Sequence, residues 1–167
     1  MTRSRSEYLR VHADAPSVEV TSERGIRLAS DDDRDALADL LLDAYRGTID
    51  DEGEDVPAAR RAADECLARR VSGGSVVIEE GERLVAMSFV VMVRGRAYVD
   101  PVATAAAWKQ TGLGRRAVSA SLQRLRDADV HEVGATITDG NVPSERLFAS
   151  LGFVRVGPWG QGSRSGA

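Results

Sequence analysis

Trp108-Lys109-Gln110-Thr111-Gly112-Leu113-Gly114-Arg115-Arg116 is the stretch whose reading decides the fold. Residues 96–104, upstream of it, are rich in strand formers. Residues 112–128 place Leu113, Ala117, Leu122 and Leu125 on or near one face of a helix. The quoted residues are therefore a strand-to-helix turn. The first N–H groups of a helix lack internal partners, and the helix dipole adds about +0.5 charge there. Glycines let the backbone come close to an anion, and Lys109, Arg115 and Arg116 add positive charge. Such a turn can hold a pyrophosphate. Two other nucleotide motifs do not fit: no Lys-Ser or Lys-Thr follows the glycines, and the third glycine of a dinucleotide fingerprint is absent.

Working outward, residues 75–79, 83–93 and 96–104 read as three antiparallel strands with turns at Glu80-Gly81 and Arg94-Gly95. Before them, 25–29 reads as a strand. A helix follows over 31–45, opened by the capping-box spacing of Ser30 and Asp33. After an acidic loop over 47–55, Pro57 opens a second helix that turns Ala63, Cys66 and Leu67 inward and ends near Gly73. Beyond the turn come a strand over 132–138, a short helix over 143–151 stopped by Gly152, and a strand over 153–156. Residues 1–24 read as a loose arm with a short strand at 17–21, and 157–167 as a flexible tail. The order is β-α-α-β-β-β-α-β-α-β: an α/β (α+β) chain with one mixed, mostly antiparallel sheet flanked by helices.

At 167 residues the chain has the length of one domain, expected over 25–156. The net charge of −4 gives no electrostatic case for nucleic acid. The single cysteine and the isolated His12 and His131 exclude a disulfide framework and speak against a metal site. No apolar run nears the roughly 20 residues that span a bilayer, and residues 1–10 lack a signal-peptide pattern. A cytoplasmic protein is expected, without membrane partners and as a monomer or homodimer. Lys109 is the only lysine, an arginine bias that points to a GC-rich bacterial source.

Residues 109–114 resemble the acyl-CoA loop of the GCN5-related N-acetyltransferase superfamily, Arg/Gln-x-x-Gly-x-Gly/Ala. Asn141-Val142-Pro143-Ser144-Glu145-Arg146-Leu147-Phe148-Ala149-Ser150-Leu151-Gly152-Phe153 resembles its second signature, an asparagine, then Leu-Tyr, then Leu-Gly-Phe. The resemblance covers roughly 25–156. It implies transfer of an acetyl group from acetyl-CoA, as co-substrate, to a primary amine by direct attack. By the same resemblance, Val102, Ala103 and Thr104 would run beside the pantetheine arm. Lys109, Gln110, Thr111, Gly112, Leu113, Gly114 and Arg115 would wrap the pyrophosphate, and Asn141 would contact the pantetheine or adenosine end. Asn141 is equally suited to capping the helix that follows. Pro101 inside a strand marks an edge or a bulge, and in the family a bulge here opens the slot for the thioester arm.

Two positions depart from the pattern. Lys109 stands where Arg or Gln is usual, and Phe148 replaces a tyrosine that in many members protonates the departing thiolate. The replacement keeps a second reading open, a non-catalytic acyl-CoA-binding or sensing module of the same fold. Amine acylation also needs a base. By strand periodicity Tyr98, Asp100, Val102 and Thr104 share a face, which makes Asp100 the candidate base and Tyr98 a candidate acceptor contact. Asp50, Asp51 and Glu54 of the acidic loop would attract a cationic amine or form only solvated surface, and Tyr45 would line the acceptor slot or pack in the core.

Overall fold

The computed structural model describes residues 3–20 and 22–160. Among these residues, seven strands form one sheet: β1 (Arg5–Val11), β2 (Ile26–Leu28), β3 (Val76–Glu80), β4 (Arg83–Val93), β5 (Arg96–Thr104), β6 (Glu132–Thr138) and β7 (Val154–Pro158). The spatial order is β2-β3-β4-β5-β6-β1-β7. Every neighbouring pair is antiparallel except β5 and β6. Four helices among the described residues flank it: α1 (Arg34–Tyr45), α2 (Val56–Arg69), α3 (Leu113–Asp127) and α4 (Val142–Ser150).

Each helix buries an apolar stripe against the sheet. Leu37, Leu40 and Leu41 of α1 and Ala63 and Leu67 of α2 pack on Val77, Met87 and Phe89. On the opposite face, Val118, Leu122 and Leu125 of α3 pack with Val90, Val99, Ala135 and Ile137. The capping box expected at Ser30 and Asp33 is present, on a short 3-10 turn that leads into α1. Arg27 grips the Asp33 carboxylate with two N–H groups, at 2.6 and 2.8 Å. Those hydrogen bonds hold Asp33 below its usual carboxylate range.

Within the stretch read as a loose arm, residues 5–11 are in fact an interior strand of the sheet. β1 inserts between β6 and β7, with Ser6, Tyr8 and Arg10 turned into the interior. Two of these three are polar, so apolar alternation was missing. The fold instead satisfies them singly. Ser6 Oγ donates to Asp139 Oδ1 at 2.6 Å, and Arg10 donates to the carbonyls of Leu151 and Pro16, each at 2.7 Å. Residues 17–20 form no strand, and Thr21, the end of the strand expected there, lies outside the described residues. The tail also begins later than expected. β7 continues through Gly157 and Pro158, and Trp159 packs edge-on against Tyr98 with ring centroids 5.2 Å apart. Residues 161–167 lie outside the described residues.

The β5–β6 junction places the site. These two strands pair only at Ala97–Val133, Tyr98–Gly134 and Val99–Ala135, and then part. Against β4, the partner of Val99 is Val90 and that of Val102 is Ser88, so β5 holds one residue more than β4 in this interval. That is a β-bulge at Asp100-Pro101, as Pro101 led us to expect. Its consequence contradicts the shared face assigned to Tyr98, Asp100, Val102 and Thr104. The extra residue reverses the alternation: Val99 and Val102 both join the α3–α4 side, and Ala103 joins the α1–α2 side. Tyr98 and Asp100 therefore face the α1–α2 side, and Val102 and Thr104 the other.

Candidate active site

Where β5 and β6 part, a cavity of about 620 Å³ opens through the sheet. One wall is β5 at Val102, Ala103 and Thr104, and another is the turn and first residues of α3 at Lys109, Gln110 and Gly112 to Arg115. The end of α1 and the loop after it close a third side with Ala44, Tyr45, Thr48, Ile49 and Asp50, and α4 closes the fourth with Asn141, Pro143, Ser144 and Leu147.

The glycines of the turn have separate jobs. Gly112 is left-handed, at φ +85°, and no atom lies within 4 Å of where a Cβ would stand. It turns the chain from the loop into α3, and Arg116 is the first α3 residue whose N–H bonds back, to Gly112 O at 3.0 Å. The N–H groups of residues 112–115 precede that bond and crown the cavity wall. Gly114 lets α3 approach β5: a Cβ there would lie 3.2 Å from Thr104 Oγ1 and 3.7 Å from Leu147 Cδ2.

The basic side chains of the turn are partly engaged elsewhere. Lys109 Nζ donates to the Ala44 carbonyl at 2.6 Å and ties the turn to the C-terminal end of α1. Arg116 donates to the carbonyls of Ser22 and Arg24 and pins the segment before β2. Arg115, hydrogen-bonded to Ser150, keeps its place on the wall. Thr111 is exposed and does not line the cavity.

Asn141 is both a cap and a wall residue. Its Oδ1 accepts from Ser144 N at 3.3 Å, and its Nδ2 donates to Asp50 Oδ2 at 2.9 Å. The other oxygen of Asp50 accepts from Thr138 Oγ1 at 2.6 Å. One carboxylate thus straps the α1–α2 loop to the end of β6 and the start of α4, across the gap. The remaining acidic residues of that loop do not reach the large cavity. Asp51 accepts from Gly47 N and Gly53 N, at 2.7 and 2.9 Å, and Glu54 accepts from Glu52 N at 3.1 Å. Both lie at the rim of a second, smaller pocket of about 90 Å³, whose apolar lining is Leu41, Leu42, Tyr45, Ala59 and Ala62.

Tyr45 lines both spaces. Its hydroxyl donates to the Val102 carbonyl at 3.4 Å, and burial raises its pKa well above the ordinary phenol value, so it stays neutral. Asp100 lies beside it on the α1–α2 side, with Arg5 Nη2 3.7 Å from its Oδ1. Burial raises the Asp100 carboxyl, and Arg5 and Arg69 only partly offset this. Burial likewise pushes the neighbouring Cys66 thiol up to about 11, which leaves it an unreactive thiol at the edge of the core. Tyr98 is farther away: its hydroxyl donates to Glu7 Oε1 at 2.5 Å and its ring lies over Gly134. Phe148 is in the core, edge-on to Phe153 at 5.0 Å, and it is the preceding Leu147 that reaches the cavity. Thr48, Ile49, Trp108 and Leu147 escaped the sequence reading. Trp108, at the head of the quoted turn, and Leu147, one residue before Phe148 in the second motif, carried a signal.

The architecture is shared with solved structures. A GCN5-related N-acetyltransferase from Sphaerobacter thermophilus superposes with a TM-score of 0.70 at 12% identity, over 93% of this chain and 49% of the other. A GNAT-family acetyltransferase from Colwellia psychrerythraea gives 0.71 at 9% identity, over 94% and 54%. The chain thus spans about half the length of these two proteins. The ribosomal-protein-S18-alanine N-acetyltransferase of Escherichia coli gives 0.63 at 17% identity, over 78% and 77%. No curated protein sequence matches the chain. The fold is thus that of the N-acetyltransferases. The sequence pattern of the acetyltransferase (GNAT) family matches residues 34–153, and the chain belongs to that family.

Proposed function

We propose that the chain is an N-acetyltransferase that moves the acetyl group of acetyl-CoA to a primary amine by direct attack. The carrying observation is the left-handed Gly112 at the head of α3, facing the gap where β5 and β6 part. Main-chain N–H groups of residues 112–115, with Arg115 and Gln110, would hold the pyrophosphate. The pantetheine arm would follow Val102, Ala103 and Thr104, where β5 has lost its β6 partner. Lys109 acts mainly as an anchor between α3 and α1 in this reading, and Asn141 shapes the far wall through its bond to Asp50.

The acceptor would come from the α1–α2 side, where Asp100 lies. Its amine nitrogen attacks the thioester carbonyl carbon, the C–S bond breaks, and the amide forms. Asp100 takes the proton lost by nitrogen, and the CoA thiolate is protonated by solvent. A carboxyl whose pKa is raised is a stronger base than an ordinary one, which suits the task. Asp50 and Tyr45 would border the acceptor, and the acidic rim at Asp51 and Glu54 favours a cationic one; Tyr98, bonded to Glu7, lies outside the cavity lining. Release of thiol from acetyl-CoA across a panel of amines tests the reading. A second reading, a non-catalytic acyl-CoA-binding module, draws on Phe148, whose ring offers no proton and lies in the core. Acetyl-CoA binding without thiol release from any amine would favour it. No helix among the described residues is long and apolar enough to cross a membrane, in keeping with action in the cytoplasm.

A further inference from the structure

Among the described residues, Tyr45 alone borders both the 620 Å³ cavity and the 90 Å³ apolar pocket. Its position along β5 is fixed by the hydroxyl bond to Val102 O. The strand runs from Thr104, beside Gly114 at the head of α3, through Ala103 to Val102 and then to Asp100. A thioester whose phosphates sit on α3 therefore meets Tyr45 at its acyl end. The smaller pocket is walled by aliphatic carbon from Leu41, Leu42, Ala59 and Ala62, together with charged Arg46, Asp51 and Glu54 from the end of α1 and the loop after it. At a liquid share of roughly 30 Å³ per water, its volume is that of about three waters, enough for a short alkyl chain.

We infer that the Tyr45 ring sets the acyl length this chain accepts, standing as a partition between the acyl-CoA cavity and a latent aliphatic chamber. The inference rests on the acyl-CoA reading above and deepens it from the acceptor wall expected of Tyr45 to acyl selection. With the ring in place, the chain is restricted to short acyl groups. With the ring removed, the two spaces merge, and the added methylenes of a longer acyl group leave water for an apolar wall. Each methylene housed in this way is worth roughly a fourfold gain in affinity.

The test is calorimetric titration of the full chain with CoA, acetyl-CoA, butyryl-CoA and hexanoyl-CoA, which needs no acceptor. The wild type should bind acetyl-CoA more tightly than the longer thioesters. In Tyr45→Ala the butyryl-to-acetyl affinity ratio should rise by about fifteenfold over wild type, two methylenes' worth. Tyr45→Phe keeps the ring and should keep the wild-type ranking. Ala62→Leu added to Tyr45→Ala refills the chamber and should abolish the gain. If Tyr45→Ala does not fold, Tyr45→Leu tests the same point with a smaller loss of packing. An unchanged ranking in a folded ring-deletion variant that still binds CoA overturns the inference and leaves the acyl-CoA reading standing. A gain that survives Ala62→Leu overturns the chamber. Failure of the wild type to bind any CoA species sinks the acyl-CoA reading, and this inference with it.

Discussion

Gly112 gives the most direct test of where the phosphates bind, because backbone strain and charge can be separated there. Its φ of +85° strains any side chain, but the space around its Cβ direction is open. Gly112→Ala should therefore cost only the left-handed penalty, about 1–2 kcal/mol. At about 2–4 °C per kcal/mol for a domain of this size, that lowers Tm by roughly 2–8 °C. Acetyl-CoA at 100 times its Kd adds about 2.7 kcal/mol to a native-state binder, an upward shift of roughly 5–10 °C. Gly112→Ala should keep that shift. Gly112→Asp carries the same strain and adds a carboxylate facing the proposed pyrophosphate. At about 5 Å and an effective dielectric constant of 20, each pair of like charges costs about 3 kcal/mol, enough to cancel the ligand's contribution. Thermal denaturation of the three proteins with and without acetyl-CoA reads all of this. A folded Gly112→Asp variant that shows the full ligand shift would refute the placement of the phosphates on α3.

The remaining predictions concern Asp100, Gly134 and Phe148. Asp100→Asn should lower kcat at least tenfold. It should also remove the low-pH limb of the rate profile, which in the wild type rises with pH through the raised Asp100 pKa as the carboxylate form is populated; an unaltered profile eliminates Asp100 as the base. Gly134→Ala would place a Cβ 2.3 Å from the Tyr98 ring, so it should destabilise by about 1–3 kcal/mol, and an unchanged Tm would refute the packing of Tyr98 over β6. Phe148→Tyr adds a hydroxyl inside the core, where an unpartnered polar group costs about 1–3 kcal/mol. Its Tm should fall without a rise in turnover, and faster thiol release would show that the new phenol reaches the cavity after all.

Helices and central strands were legible because their apolar residues keep one period. Leu37, Leu40, Leu41 and Ala44 mark α1, and the valine-rich runs mark β3, β4 and β5. The glycine turn was legible because Gly112 and Gly114 stand where a helix head needs a left-handed residue and a close approach. β1 was not, because its interior positions are Ser6, Tyr8 and Arg10, whose burial depends on Asp139, Leu151 and Pro16. Those partners are distant in sequence or lie in an irregular loop. The same holds for Asp50. A charge run reads as solvated surface, and only the fold reveals that one member of the run bonds Thr138 and Asn141 across the gap.

In the proposed reaction, the bulge at Asp100-Pro101 would let one strand serve both reactants. With strict alternation, Asp100, Val102 and Thr104 would all face the same side, and the proposed base would compete for space with the proposed path of the pantetheine arm. The extra residue turns Asp100 toward α1 and α2 while Val102 and Thr104 turn toward α3. β6 departs from β5 immediately before this point, after Val99. The opening it leaves joins the two faces of the sheet at the place where β5 changes the side it presents. In the proposed reaction, an acyl group carried in along one face is met by an amine and a base from the other, with the Tyr45 ring at the crossing. A proline in a strand thus does more than end a ladder: by shifting the register by one residue, it divides the site between the two sides of the sheet.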